Sequence, residues 1–149
     1  RYQTLVSEEI PSVDLGGGVG KLRVIAGEFR GQKGPAKTFS PVHLYDLRLQ
    51  GGRSVDLSLP EGFNTSVFVL HGRVVINSAQ SAGEAELALF GHSGESITLE
   101  AKGDSVILVL SGEPIDEPIA RYGPFVMNTQ AELVQAVNDY RAGRMGHLS

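Results

Sequence analysis

"NTSVFVLHGRVVI", from Asn64 to Ile76, is an apolar run, a His-Gly step and a second apolar run. Val67, Val69 and His71 alternate with Phe68 and Leu70, the period of a β-strand, and Val74 and Ile76 resume the alternation beyond Gly72. Both sets in the first run are apolar, so periodicity leaves open which one turns inward. His71 is either a strand-end surface residue or a ligand-facing one, and periodicity alone does not choose between them.

The same pattern extends in both directions. "KLRVIAGEF" (Lys21 to Phe29) reads as a strand closed by the Gly- and Pro-rich loop "RGQKGPAKTFSP". In "VHLYDLRLQ", His43, Tyr45, Leu47 and Leu49 share one face, and in "SVDLSL" Val55, Leu57 and Leu59 do. "GGR" and "PEGFN" are turn signals, "SAQSAGEA" reads as a polar loop, and "ELALFG" as a short strand. "ITLEAK" and "DSVILVLSG" close the series, with "KGD" between them as a hairpin-turn signal. Eight or nine short, regularly spaced strands in a chain of 149 residues predict an all-β domain, a sandwich or a jelly-roll barrel.

The pattern changes at "NTQAELVQAVNDYRAG". Thr129 is followed three residues later by Glu132, a capping box, and Leu133, Val134, Val137 and Tyr140 recur at helical spacing. Gly143 stands where a C-terminal glycine cap belongs. A terminal helix over 129–142 is the expectation, with an apolar stripe that needs a partner surface.

Composition narrows the function classes. Apolar residues at 41 % and charged residues at 20 % suit a soluble globular domain, and no run approaches the roughly 18 apolar residues of a membrane span. The net charge of −4 and the lack of a dense Lys/Arg run argue against a nucleic-acid surface. With no Cys, thiolate nucleophiles and thiolate metal sites are excluded together. "LGGGVGK" lacks the Walker spacing and leads into a strand, so it reads as a flexible turn. Glu113, Asp116 and Glu117 in "GEPIDEP" could be paired carboxylates for acid–base work, but two prolines fix an extended backbone there, so they read as solvated acids of an exposed connector. The expected location is cytoplasmic.

"LSGEPIDEPIARYGPFVMNT" (Leu110 to Thr129) closely resembles the C-terminal region of pirin-like proteins, and "RVIAGEFRGQKGPAKTFSP" (Arg23 to Pro41) resembles the start of their second domain. With the terminal helix, the resemblance covers nearly the whole chain. Pirin-like proteins are bicupins, two jelly-roll barrels in tandem. The resemblance therefore implies that residues 1–149 form a single cupin-type jelly-roll barrel, the C-terminal one of such a protein, starting at Arg1 as a piece of something longer. It implies an iron site in the N-terminal barrel, quercetin 2,3-dioxygenase-type activity in the intact family, and in animals a role as nuclear transcription cofactor.

The cupin metal motif runs Gly, five residues, His-x-His, three or four residues, Glu, six residues, Gly. With Gly72 as its final Gly, Thr65 stands at the Glu position, and the His positions hold Leu59 and Glu61, or Ser58 and Pro60 with the longer spacing. The second motif should fall near "ITLEAKGDSVIL", which contains no His. A barrel without metal, cofactor or catalytic residues of its own is the expectation. Its work would be structural, beside its own N-terminal cupin domain. Phe125 and Met127 are candidate interdomain docking residues, whose exposure here would favour self-association. His43 and Tyr45 are candidate ligand-lining residues, against the plainer reading of a buried His satisfied by a backbone carbonyl. Two alternatives stand beside this: a binding module for a small, flavonol-like ligand, and a stand-alone metal-dependent cupin enzyme using His43, His71 and Glu61. His92 reads as a solvated turn residue and His147 as part of the C-terminal tail.

Overall fold

The computed structural model describes residues 3–146, so His147 lies outside the described part. A short 3-10 turn at Ser7–Glu9 precedes β1 (Ser12–Asp14) and β2 (Gly20–Ala26). The small hairpin β3 (Glu28–Phe29) and β4 (Gln32–Lys33) is followed by the long strand β5 (Val42–Leu49) and by β6 (Ser54–Ser58). Then come β7 (Asn64–His71), β8 (Arg73–Ile76), β9 (Gln80–Gly83), β10 (Leu87–Leu89), β11 (Ser96–Ala101) and β12 (Ser105–Gly112). The last elements are the hairpin β13 (Ala120–Tyr122) and β14 (Phe125–Met127), and helix α1 (Gln130–Arg141).

These elements group into two compact units, one ending at Pro114 and the other beginning at Ile115. The first holds a six-stranded sheet, in the order β1-β2-β5-β12-β7-β10, and a four-stranded sheet, in the order β6-β11-β8-β9. Strands that are neighbours in sequence repeatedly belong to opposite sheets, as β5 and β6, β7 and β8, and β11 and β12 do. This is the jelly-roll arrangement. It corrects the reading of "KGD" as a hairpin turn: β11 and β12 do not pair with each other, and Gly103 lies in a corner between the sheets. The stretch "LGGGVGK" is a turn leading into a strand, as read: it is the hairpin loop joining β1 to β2, with Leu15 N donating to Gly20 O and Gly16 N to Asp14 Oδ1.

The His-Gly step is a corner of the same kind. Gly72 has φ +86°, and a Cβ there would overlap Ser105 Oγ and lie 2.6 Å from Asp104 O. Only glycine lets the chain leave β7 and enter β8 so close to β12. One apolar cluster fills the space between the sheets. It takes Val24, Tyr45, Leu47, Val67, Val69, Ile107 and Val109 from one, and Val55, Leu57, Val74, Ile76, Ile97 and Leu99 from the other. The alternating residues of each strand meet there, so the interior is packed with side chains.

In the second unit Thr129 caps α1 as its sequence predicts. The Thr129 side chain accepts from Glu132 N, and Glu132 reaches back to Thr129 N at 2.8 Å. Leu133 and Ala136 are the buried helix residues and Val137 is half-buried, whereas Val134 and Tyr140, expected in the apolar stripe, are exposed. The buried face is narrower than the pattern implied and includes an alanine. No helix among the described residues is long and apolar enough to cross a membrane.

Candidate functional site

Register decides where the polar residues gather. On the inner face of the large sheet His43 of β5 stands opposite Ser111 of β12, which stands opposite Thr65 of β7. Deeper along the same face every partner is apolar: Tyr45, Val109, Val67, then Leu47, Ile107, Val69. The core thus ends in one polar rung at the rim. Ser111, 1 % exposed, shares a hydrogen bond of 2.9 Å with Oγ1 of the half-buried Thr65, so its buried hydroxyl is not stranded.

His43 is half-buried and its Nδ1 lies 2.8 Å from the Tyr45 hydroxyl, which donates to Glu28 O at 2.7 Å. Because the phenol spends its single proton on the carbonyl, the proton of the His43–Tyr45 bond must come from Nδ1. Neutral His43 is therefore the Nδ1–H tautomer, and Nε2 is left as an acceptor. Burial pushes the His43 pKa below its usual 6.5, which favours this neutral form. Tyr45 is pushed up to about 12 by burial first and by the Glu28 charge second, so it stays a phenol. The simple alternative of a histidine bound to a backbone carbonyl is half right: the carbonyl is there, with Tyr45 interposed. Gly27 makes room, since a Cβ on it would fall 2.5 Å from His43 Nδ1.

Around this rung the rim forms two recesses. One, of about 590 Å³, is lined by His43, Ser58, Leu59, Glu61, Glu95 and Ser96. The other, of about 210 Å³, is lined by Phe63, Thr65, Phe90 and His92 among others, with Leu59, Pro60 and Ser96 shared between the two. The rim loops are tied together by Leu59 N to Glu95 O at 2.9 Å, Gly62 N to His92 O at 2.9 Å and Gly94 N to Glu61 Oε1 at 3.3 Å.

The other candidates are placed apart. A register shift between Val106 and Ile107 sets His71 opposite Val106, in a row with Arg48 and Lys21. That bulge overrides the simple alternation that groups His71 with Val67 and Val69. The His71 side chain is 68 % exposed and its Nδ1 lies 3.0 Å from Glu84 Oε2. Six residues of strand separate it from Thr65 on the rim, roughly 20 Å at about 3.3 Å per residue, so a metal site from His43, His71 and Glu61 does not assemble. His92 is exposed and its Nε2 donates to Asn64 Oδ1 at 2.8 Å. Phe125 and Met127 are half-buried; the Phe125 ring meets Tyr140 edge-on at 6.0 Å, and Val126 between them is the exposed residue.

Cupin metal ligands do not fit here. Leu59 points into the core at 6 % exposure, the Thr65 hydroxyl is engaged by Ser111, and neither motif spacing supplies an imidazole. Among the described residues no three His, Asp or Glu side chains converge as a metal-holding group. Of the two ligand-lining candidates, His43 reaches the larger recess, whereas Tyr45 is buried in the core at 1 % exposure and lines neither; sequence reasoning missed Thr65 and Ser111 as a rim pair. Their inward parity with Val67 and Val109 was the available signal; their register was not.

The family described as "Pirin C-terminal cupin domain" matches over residues 44–146. The chain belongs to the pirin family. Within it, this pirin C-terminal cupin domain is 44 % identical over 97 % of its length to a Pseudomonas aeruginosa protein that carries a quercetin 2,3-dioxygenase name, covering 50 % of that protein. Human pirin is 34 % identical over 98 % of the chain, which covers 51 % of it. The crystal structure of a quercetin 2,3-dioxygenase from Acinetobacter baumannii superposes with a TM-score of 0.92 at 42 % identity, over 100 % of this chain and 52 % of that one. The chain thus spans about half the length of the curated relatives it matches. These likenesses establish the cupin fold and the family, and the relatives that carry quercetin 2,3-dioxygenase names are what the chain is similar to.

Proposed function

We propose that this pirin C-terminal cupin is the scaffold half of a two-barrel protein. Its work is to brace an N-terminal cupin that carries the iron and the quercetin 2,3-dioxygenase-type chemistry. The observation that carries this reading is the outer face of the large sheet. Leu87, Phe68 and Leu108 form one cross-strand row there, and Leu89, Ser66, Leu110 and Leu44 the next. Leu89 is 77 % exposed, and Leu87 and Leu110 are exposed with it. The first row ends in Asp46, with Arg23 Nη1 3.4 Å from its Oδ2 and Arg48 Nε 3.7 Å from its Oδ1, which gives the apolar face a charged border. A contiguous apolar face with a polar rim is the composition of a protein contact surface. The misfit of the cupin ligand positions supports the same division of labour, with metal chemistry lying outside this chain.

Two measurements test the proposal. Sedimentation of the isolated chain should reveal concentration-dependent self-association through the uncovered face, abolished by Leu87→Glu with Leu89→Glu. A chain that remains strictly monomeric at high concentration removes the support for a docking face. Elemental analysis of the purified chain should find no stoichiometric transition metal; near-stoichiometric Fe, Ni, Mn or Zn would overturn the scaffold reading.

A further inference from the structure

The two main sheets end in the edge strands β1, β10, β6 and β9, and three of these carry groups that discourage pairing with another chain. β1 follows Pro11 and ends in the exposed Asp14, β6 holds the exposed Asp56, and β9 is the short "QSAG" followed at once by Glu84. β10 differs: its sequence "LAL" has no charge, proline or glycine. Its hydrogen bonds show which way its backbone faces. Val69 N donates to Glu86 O at 3.0 Å, Phe90 N donates to Thr65 O at 3.0 Å, and Ala88 stands opposite Val67 between them. Residues 86, 88 and 90 thus turn their backbone groups to β7. By the alternation of an antiparallel strand, Leu87 and Leu89 turn their N–H and C=O groups away from the sheet. Ala88 packs against the core, and the Leu87 and Leu89 side chains stand on the outer face, 54 % and 77 % exposed.

We propose that β10 pairs antiparallel with β10 of a second copy of this chain, about a two-fold axis at Ala88. Leu87 then stands opposite Leu89 of the second copy, and each such pair exchanges both of its hydrogen bonds. The strand is its own complement. The two-fold sets leucine beside leucine on the outer face and brings no like charges together. Glu86, the acid next to the strand, accepts from Gly83 N at 2.6 Å and so is turned back onto its own chain. The two large sheets become one, and the row of Leu108, Phe68 and Leu87 runs on into Leu89, Ser66 and Leu110 of the second copy. The pairing uses backbone groups at the edge and leaves the outer face open to an N-terminal barrel, so neither contact requires the other.

Sedimentation and amide hydrogen exchange of the isolated chain, from dilute to concentrated solution, test the pairing. A reversible dimer should form, in which the Leu87 and Leu89 amides exchange at least about tenfold more slowly than in the monomer. The Ala88 amide, bonded within its own sheet, should not respond to concentration. Leu89→Pro removes an outward N–H and no bond to β7, a place where an edge strand accepts proline, and should give a folded monomer. Leu110→Glu alters the outer face two strands in from the edge and should dimerise like the native chain. A dimer whose Leu87 and Leu89 amides stay unprotected overturns the edge pairing. So does a dimer that survives Leu89→Pro and is lost in Leu110→Glu, a result that assigns association to the face and leaves the scaffold reading in place. A chain that is monomeric at every concentration overturns it too. Should Leu89→Pro fail to fold, the amide protection of the native chain decides alone.

Discussion

At the residue scale the relay from His43 through Tyr45 to Glu28 O governs both pH response and stability. Folding lowers the His43 pKa below 6.5, so below that pH the unfolded chain binds the extra proton first and stability falls. The loss begins as pH drops through 6.5 and levels off below the folded-state value; Glu28, Glu61 and Glu95 are the acids nearest in this part of the rim. Urea titrations across this range should give a steeper acid-side decline for the native chain than for His43→Gln. Tyr45 acts in the opposite direction. Its pKa is raised in the fold to about 12, so its contribution is complete below 10 and is lost as pH climbs from 10 toward 12. Tyr45→Phe removes this alkaline component and leaves Glu28 O and His43 Nδ1 without their partner. It should cost about 1–3 kcal/mol in denaturant unfolding at neutral pH. Period two put His43 and Tyr45 on one face from the sequence alone. That they touch each other, and that a carbonyl 17 positions away completes the relay, depends on the β3–β4 hairpin folding back near β5.

At the scale of elements, corners and caps carry the risk. Gly72→Ala places a Cβ against Ser105 and Asp104 at a φ that L-residues avoid. The cost should be at least about 1–3 kcal/mol, read as a lowered urea midpoint with an unchanged slope. Thr129→Ala removes the hydroxyl that holds Glu132 N, and should cost about 1 kcal/mol of helix stability, seen as reduced helical ellipticity on heating. The Thr129 hydrogen bonds also hold the Glu132 carboxyl below its usual range, so acid should fray this helix end later than an uncapped one. Long strands and the capped helix were legible because each obeys a local rule of period or capping. The strands β1, β4 and β9 were not, since "SVD", "QK" and "QSAG" carry little apolar alternation and are strands only because neighbours supply their hydrogen bonds. The "KGD" corner was misread for the same reason, as a tight turn and a corner between sheets use the same residues.

At the scale of the whole molecule, the proposed scaffold role turns on surfaces. Leu87 and Leu89 belong to an edge strand, and their exposure beside Leu110 makes the outer sheet face the place where Leu→Glu changes should alter association while leaving the fold intact. The docking candidates named from sequence, Phe125 and Met127, turn out half-buried in a hairpin that packs on the terminal helix, and Val126 between them faces out. Strand alternation fixed that pair on one side, but only the fold says which side is already covered. The sequence by itself determined the all-β class, the capped helix, the family and the misfit of the metal motif, because each rests on residue identity and short-range spacing. The tertiary structure decided the rest. The polar rung His43–Ser111–Thr65, the displacement of His71 by a bulge and the apolar outer face all arise from pairing between strands distant in the chain, and register between distant strands is set by the packing of the whole core.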